Sequence, residues 1–316
     1  MRKLKGTAVP AGAVAVSAVA AAALLAGCGL NVGTRHEDRS YNAPAGITAL
    51  KVGSGTGRIE IVASDSPAIK VRERLSWSND GNKPVPQHVT RGDALSLSAT
   101  CARTVLGDAR CGISYRVQVP RATSVQVEGH DGPVSVAGLT GTVRISTDDG
   151  PITAGDLRTT SLIASSGDGA IEISGRAGTA DVRTDAGPIT ATGLTADRLT
   201  ARTGDGAIRL TGRATTADLH TDTGPITASG LTADRLTART GDGAVRLGLA
   251  SAPGTVDVKT DIGRVRLFLP GGQGYLIDLT SDTGAKRVDP AVHQDSRSPR
   301  HVTVTTGDGA ITVSPA

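Results

Sequence analysis

The chain has 316 residues and a formal net charge of +4, from 34 lysine and arginine residues against 30 aspartate and glutamate residues. Aromatic residues make up only 2% of it, which disfavours one large globular core, because such cores take much of their buried area from aromatic side chains. Residues 1–27 hold three basic residues and no acidic one, so the rest has a net charge of about +1 and predicts no nucleic acid partner.

The first 27 residues predict export. Arg2, Lys3 and Lys5 precede an uncharged stretch rich in Ala, Val and Leu, which is typical of a secretory signal rather than a spanning helix. The stretch ends in Leu-Ala-Gly-Cys, which resembles the lipobox of bacterial lipoproteins. That resemblance implies that Cys28 is the first mature residue, carries a diacylglyceryl group and anchors the protein to the extracytoplasmic face of the cell membrane. The alternative is an ordinary cleaved signal peptide followed by an unmodified cysteine.

Residues 28–45 are predicted to be the lipidated cysteine and a flexible tether, because they are polar, show no hydrophobic period and end near Pro44. Beyond them, short alternating apolar runs separated by Gly, Asp, Asn and Pro predict β-strands. Residues 46–125 are less regular than residues 126–316. We predict that they form the first coils and an N-terminal β cap.

Cys101 and Cys111 are the two cysteines that remain after Cys28. In an exported protein such a pair predicts a disulfide that closes a short loop. Two free thiols are the alternative. A metal site is not predicted, because the spacing is not Cys-x-x-Cys and only His88 lies nearby in the sequence.

A turn built on Asp-Gly or a close variant recurs along residues 126–316. Its glycines are Gly132, Gly150, Gly169, Gly187, Gly206, Gly224, Gly243, Gly263, Gly284 and Gly309. They are spaced by 18, 19, 18, 19, 18, 19, 20, 21 and 25 residues, and an alternating apolar run comes after nearly every one. This period predicts stacked coils of about 18–19 residues, a β-solenoid. We expect the corner glycines to adopt positive φ.

Two further regularities support the stacking. Residues 188–206 recur at 225–243 with one change, Thr192 to Ser229, so the repeating unit is a pair of coils. A hydroxyl residue stands three positions before all but the first turn glycine: Thr147, Ser166, Thr184, Thr203, Thr221, Thr240, Thr260, Ser281 and Thr306. Because stacked strands lie about 4.8 Å apart, each hydroxyl is predicted to bond the hydroxyl or backbone of the neighbouring coil.

A row of basic residues accompanies the hydroxyl row. Its members on successive coils are Arg183, Arg202, His220, Arg239 and Lys259. Asp181, Asp218 and Asp257 stand two residues earlier on alternate coils and soften the repulsion between like charges. The row is a candidate binding site for anionic surface polymers. The alternative is a solvated face that neutralises itself.

No metal site, cofactor or catalytic site is predicted. The turn aspartates offer about one carboxylate per coil, whereas Ca²⁺ takes six to eight oxygen ligands, and Asp at a tight turn also bonds its own backbone. The chain has no G-x-S-x-G, H-E-x-x-H or P-loop motif. We therefore expect a protein that is not an enzyme. A polysaccharide-active β-helix is the alternative, because aspartate and arginine rows occur together.

Three phrases carry a resemblance to a known family: Tyr115–Pro120 (YRVQVP), Val125–Val127 (VQV) and Asp131–Val136 (DGPVSV). Together with the repeated coils they resemble the putative adhesin family of unknown function, common in actinobacterial lipoproteins, over residues 46–316. The resemblance implies an all-β, right-handed, single-stranded parallel β-helix and no catalytic residues. A β-propeller and a left-handed hexapeptide helix fit less well, because the corner returns every 18–19 residues and the apolar positions do not recur every six.

These features favour a membrane-anchored extracytoplasmic scaffold whose flat faces bind a repetitive partner, such as a cell-wall or surface polymer. The second hypothesis is a structural or sensory envelope lipoprotein that acts through a membrane protein. Polymer binding by the folded domain distinguishes the first hypothesis from the second.

Overall fold

The computed structural model describes residues 33–101 and 111–316, and residues 34–316 form one compact unit. The predicted signal segment and the predicted lipidation at Cys28 lie outside the described residues. Within the described ranges nearly all regular structure is β-strand, with one short 3-10 helix at Asp80–Asn82. None of the helices described is long and apolar enough to cross a membrane.

The strands of this unit belong to one long sheet in which most neighbours run parallel. The first nine are β1 (Arg35–Asn42), β2 (Ala49–Ser54), β3 (Ile59–Ser64), β4 (Lys70–Trp77), β5 (Val85–Arg91), β6 (Ala94–Thr100), β7 (Cys111–Pro120), β8 (Ser124–Gly129) and β9 (Val134–Ala137). The next are β10 (Val143–Thr147), β11 (Ile152–Ser166), β12 (Ile171–Thr184), β13 (Ile189–Thr203), β14 (Ile208–Thr223), β15 (Ile226–Asp242) and β16 (Val245–Leu249). The last are β17 (Thr255–Ile262), β18 (Val265–Leu269), β19 (Leu276–Ser281), β20 (Lys286–Val288), β21 (His301–Asp308) and β22 (Ile311–Pro315).

Successive coils stack in register. Ile189 in β13 pairs with Ile208 in β14, and Ile208 pairs with Ile226 in β15, so equivalent residues form rows that run from coil to coil. The parallel and unclosed stacking confirms the predicted β-solenoid. It excludes a β-propeller, whose blades are separate four-stranded sheets around a central channel.

Each regular coil has three sides. In β13 the first side is residues 189–191, the second is 194–196 and the third is 198–203. The ladder shifts register between the first and second sides, where the chain bends. The same three sides recur in the coils before and after it, so every outward row keeps its side along the stack.

The interior is a thin stack of aliphatic side chains with complementary sizes. Along the third side one inward row reads Leu, Ala, Leu, Ala, Leu from Leu162 to Leu236. The adjacent inward row reads Ala, Val, Ala, Leu, Ala from Ala164 to Ala238. All of these residues are buried. Over these five coils a larger side chain therefore stands beside a smaller one, and the order reverses from coil to coil, which agrees with the closer match between alternate coils.

Buried hydroxyl groups hold the corner between the third and first sides. Thr203 Oγ1 donates to the carbonyl oxygen of Gly187 at 2.9 Å, and Thr221 Oγ1 donates to that of Gly206 at 2.9 Å, each one coil away. The same bond to a turn glycine is made by Thr184, Thr240, Thr260 and Thr306. The predicted hydroxyl row is thus confirmed, with a backbone carbonyl as its usual acceptor.

The corner glycines are required by close approach and not by φ. A Cβ on Gly206 would lie 2.1 Å from the carbonyl oxygen of Gly187, and over the ten turn glycines this distance to a glycine carbonyl of the neighbouring coil is 1.8–2.4 Å. Among them only Gly224 has positive φ. The expectation that these glycines supply positive φ is therefore wrong for nine of the ten and holds for Gly224. Glycine is needed at all ten because the carbonyl of the neighbouring coil occupies the space that a side chain would take.

Antiparallel strands close the N-terminal end. β1 pairs with β4, β4 pairs with β7, and β5 pairs with β6. The predicted tether is corrected over Arg35–Asn42, which is strand β1. This edge strand shows no apolar alternation, because backbone pairing and exposed charge pairs such as Arg74 with Asp38, at 2.8 Å, hold it in place. Cys101 and Cys111 form the predicted disulfide.

The last strands break the order of the stack. β21 lies between β17 and β19, and β22 lies between β18 and β20. The chain thus leaves a one-coil space after Leu269, forms an end coil with β19 and β20, and returns to fill the space. The returning segment buries Val292 against the core.

Replacing a corner glycine tests the close approach. We expect Gly206→Val to lower the free energy of unfolding by about 2–3 kcal/mol, because its Cβ overlaps the Gly187 carbonyl. Thermal unfolding of residues 34–316, followed by circular dichroism, measures the change. Gly271→Val is the control, since nothing lies within 4 Å of a Cβ there. Equal melting temperatures for the two variants would contradict this account of the corner.

The hydroxyl bond has its own test. Thr221→Val keeps the side-chain shape but removes the donor to Gly206, so we expect it to destabilise the fold by about 1–3 kcal/mol. Thr237→Val, at a half-buried outward position of the next coil, should change stability by less than about 0.5 kcal/mol. Urea denaturation measures both. A Thr221 variant as stable as the Thr237 variant would show that the corner bonds contribute little.

Candidate functional site

The five predicted basic residues form one row on the outward positions of the third side. Arg183 is the Cα partner of Arg202, Arg202 of His220, His220 of Arg239, and Arg239 of Lys259. The structure therefore brings all five together at the spacing of adjacent strands. The buried threonine row lies one residue further along each strand, so its hydrogen bonds also hold the basic residues in register from coil to coil.

Carboxylates meet most of this basic row. The contacts are Arg183 Nη2 to Asp181 Oδ2 (2.8 Å), Arg202 Nη2 to Asp218 Oδ2 (3.0 Å), Arg239 Nη2 to Asp257 Oδ2 (2.8 Å) and His220 Nε2 to Asp222 Oδ1 (3.1 Å). Arg202 and Arg239 reach to the following coil, because their own coils carry Thr200 and Thr237 where the neighbouring coils carry aspartate.

The basic row is therefore close to self-neutralising. Its paired side chains are between 35% and 75% exposed, so each pair contributes about 0–1 kcal/mol to stability. Lys259 has no carboxylate within 4 Å among residues 33–101 and 111–316. The row retains the geometry of a binding stripe but little of its free positive charge.

The turn aspartates run along the adjacent corner as exposed residues, such as Asp205, Asp222 and Asp242. Over the part of the chain that the structure describes, no three His, Cys, Asp or Glu side chains come together in a way that could hold a metal ion. The turn aspartates are spread along the corner with one or two in each coil, so they form a line of separate negative charges.

A polar cluster with two buried members, Glu73 and Tyr115, lies at the N-terminal end, and the sequence did not predict it. Glu73 Oε1 is 2.6 Å from His88 Nε2, and the His88 ring stacks on Tyr41 with centroids 4.4 Å apart. Glu73 Oε2 and the Tyr115 hydroxyl have no hydrogen-bond partner within the described residues. Burial, with a smaller contribution from Glu73, raises the pKa of Tyr115. These residues come from four different strands, β1, β4, β5 and β7, so no local sequence pattern predicts that they meet.

An open groove of about 1070 Å³ lies where the first side turns into the second. Gly138, Gly175 and Gly193 line it, and all three have positive φ. Its charged lining residues are Arg121, Asp156, Arg158 and Arg176. The repeat period did not predict this groove, but a departure from the repeat marks it: the coil at residues 156–158 reads Asp-Leu-Arg where its relatives read Gly-Leu-Thr.

The stacked coils, the glycine corners and the outward rows define a parallel β-solenoid scaffold. More particularly, the chain belongs to the Toastrack DUF4097 family, whose model matches residues 47–314. The function of this family is unknown. The curated proteins compared with the chain gave no match.

Three solved structures of proteins described as putative adhesins are similar to the chain. That from Parabacteroides merdae has 13% identity and a TM-score of 0.45, over 88% of this chain and 96% of that chain. That from Parabacteroides distasonis has 12% identity and a TM-score of 0.44, over 88% and 97%. That from Bacteroides fragilis has 16% identity and a TM-score of 0.38, over 88% and 97%.

Proposed function

We propose that the protein is a lipid-anchored extracytoplasmic scaffold that binds a surface or cell-wall partner along its coils and performs no catalysis. The observation that carries this proposal is the in-register stacking of outward side chains. Each row, such as that from Arg183 to Lys259, presents chemical groups at one strand spacing, about 4.8 Å, over several coils. A flat periodic surface of this kind suits a partner that is itself repetitive.

The anchor is inferred from the sequence at residues 25–28. A diacylglyceryl group brings two acyl chains, and each buried CH₂ contributes about 0.8 kcal/mol, so two chains hold a protein where one chain is marginal. The first strand within the described residues begins at Arg35, seven residues after Cys28. An anchored solenoid would therefore stand close to the membrane, with its stack extending from β1 to the end coil.

A protein partner in the envelope is the second candidate, and one observation favours it. Arg183, Arg202 and Arg239 each contact an aspartate of the same chain, which leaves little free charge for a strongly anionic polymer on the basic row. A partner with mixed polar chemistry would suit this face better. Co-purification with one membrane protein, without polymer binding, would support this candidate.

The lipid anchor is tested by substitution of Cys28. We expect Cys28→Ser to abolish incorporation of a labelled fatty acid and to move the protein from the membrane fraction to the soluble extracytoplasmic fraction. The Cys101→Ser/Cys111→Ser double variant is the control and should remain lipidated. Unchanged membrane association of the Cys28 variant, without label, would point to a different mode of attachment.

Binding is tested with residues 34–316, which include β1, and purified wall and surface polymers at two salt concentrations. We expect binding to weaken as salt is added, because the Debye length falls to about 8 Å at physiological ionic strength. Arg202→Ala/Arg239→Ala should weaken it, and Asp218→Asn/Asp257→Asn, which frees the same arginines, should strengthen it.

The matched control is Arg198→Ala/Arg235→Ala, which removes the same charge from the same two coils at the start of the third side. Equal effects of the two arginine pairs would show that net charge, and not the basic row, determines binding. Absence of polymer binding by the folded wild-type domain would reject the polymer partner.

A further inference from the structure

Three glycines are among the residues that line the groove between the first and second sides. Gly138, Gly175 and Gly193 lie at successive or nearby coils, with φ of 76°, 104° and 59°. The space beside Gly193 is open, with nothing within 4 Å of a Cβ there, whereas the backbone of Leu157 packs against Gly175. A Cβ on Gly138 would lie 3.0 Å from the Ala63 Cβ and 3.7 Å from Nη1 of Arg121, so the Arg121 guanidinium extends over this glycine.

The internal repeat shows that the groove is a local departure from the pattern of the solenoid. The bend reads Gly-Leu-Thr at 138–140, 193–195 and 230–232. At 156–158 it reads Asp-Leu-Arg, and both changed residues are exposed and line the groove. Packing does not require either change, because the same bend is built with glycine and threonine three times in this chain.

Asp156 adds a backbone cost to this departure. Its φ of 53° is the only positive value at a non-glycine residue among those the structure describes. Aspartate tolerates the left-handed region better than most residues, but glycine adopts it without cost. Strained residues of this kind concentrate at binding sites.

Among the residues that the structure describes, two arginines of the groove lack the carboxylate partners that most of the basic row has. Arg158 and Arg176 are Cα partners on adjacent coils, so their backbones stand about one strand spacing apart, and both side chains line the groove. Neither has a carboxylate within 4 Å in the described ranges, Asp156 included. Arg121 forms an exposed pair with Asp65 at 3.0 Å, which lies outside the groove lining. Three cations against one carboxylate leave the lining with a net charge of about +2.

We propose that this groove binds an anionic group, a phosphate or a carboxylate, carried by a hydroxyl-bearing saccharide or polyol unit of a surface polymer. Arg158 and Arg176 donate to the anion, because the planar guanidinium presents paired donors that match phosphate and carboxylate oxygens. Asp156 accepts a hydrogen bond from a hydroxyl group beside the anion. The inference rests on the proposed scaffold function and gives it a ligand class and a place.

The test is an NMR titration of ¹⁵N-labelled residues 29–316, which contain the whole compact unit. The probes are glycerol 3-phosphate and glucuronate, which separate a phosphate source from a carboxylate source. We expect saturable, salt-sensitive shifts at the groove glycines with at least one probe. Arg158→Thr and Arg176→Thr should each weaken binding about tenfold, as loss of a charged hydrogen bond does.

The repeat supplies the controls. Arg158→Thr installs the residue that equivalent bends already carry, so the variant should fold, and Arg158→Gln provides a second variant that keeps the alkyl chain. Arg213→Thr removes the same residue type from the same row, outside the groove lining, and should leave the affinity unchanged. No saturable shift with either probe, or equal weakening by Arg213→Thr, would overturn the proposal.

Asp156→Gly tests the hydroxyl contact. The variant should be at least as stable as wild type, because glycine adopts positive φ freely. It should lose the preference for glycerol 3-phosphate over inorganic phosphate that the wild type is expected to show. A preference that survives the substitution would remove Asp156 from the site.

Polymer binding by the same variants separates this inference from the proposed function. Polymer binding that persists in Arg158→Thr/Arg176→Thr would overturn the groove and leave the scaffold function standing. Saturable probe binding without any polymer binding would support the groove as an anion site while rejecting the polymer partner.

Discussion

The structure depends on how closely its coils approach at one corner. There the carbonyl oxygen of one turn glycine occupies the position that a side chain on the next would need, and a buried threonine hydroxyl donates to that oxygen. Glycine allows the two coils to approach this closely, and the threonine hydroxyl gives the buried carbonyl oxygen a hydrogen bond. Because this contact recurs at each coil, it sets one common register, and every outward row inherits it. The charged rows and the groove exist because the corner holds the coils in line.

The interior explains why the repeat is two coils long. On the third side Leu199 stands beside Ala201, and the next coil reverses the order with Ala217 and Leu219. A single coil copied onto itself would lose this alternation. A pair of coils keeps it, which agrees with the near identity of residues 188–206 and 225–243.

The coil stack, the hydroxyl row and the disulfide could be predicted from the sequence, because each leaves a local or periodic pattern. Strand β1 could not, since an exposed edge strand needs no apolar alternation, and backbone bonds and exposed charge pairs to β4 leave no periodic pattern in the sequence. The ion pairs of Arg202 and Arg239 cross between coils, so their partners lie 16 and 18 residues away. The groove was readable in principle, because Asp156 and Arg158 break a repeat that the sequence itself supplies.

The interleaved position of β21 and β22 has a consequence for how such a protein can change in length. Their coil is held between two others, so adding a coil after it would not extend the stack but would have to displace the end coil of β19 and β20. Growth is unobstructed only where consecutive coils are also neighbours in space. That is the stretch from β8 to β18, and the nearly identical coil pairs lie within it. Duplication of a coil pair in the middle therefore lengthens the solenoid and leaves the strand pairing at both ends unchanged.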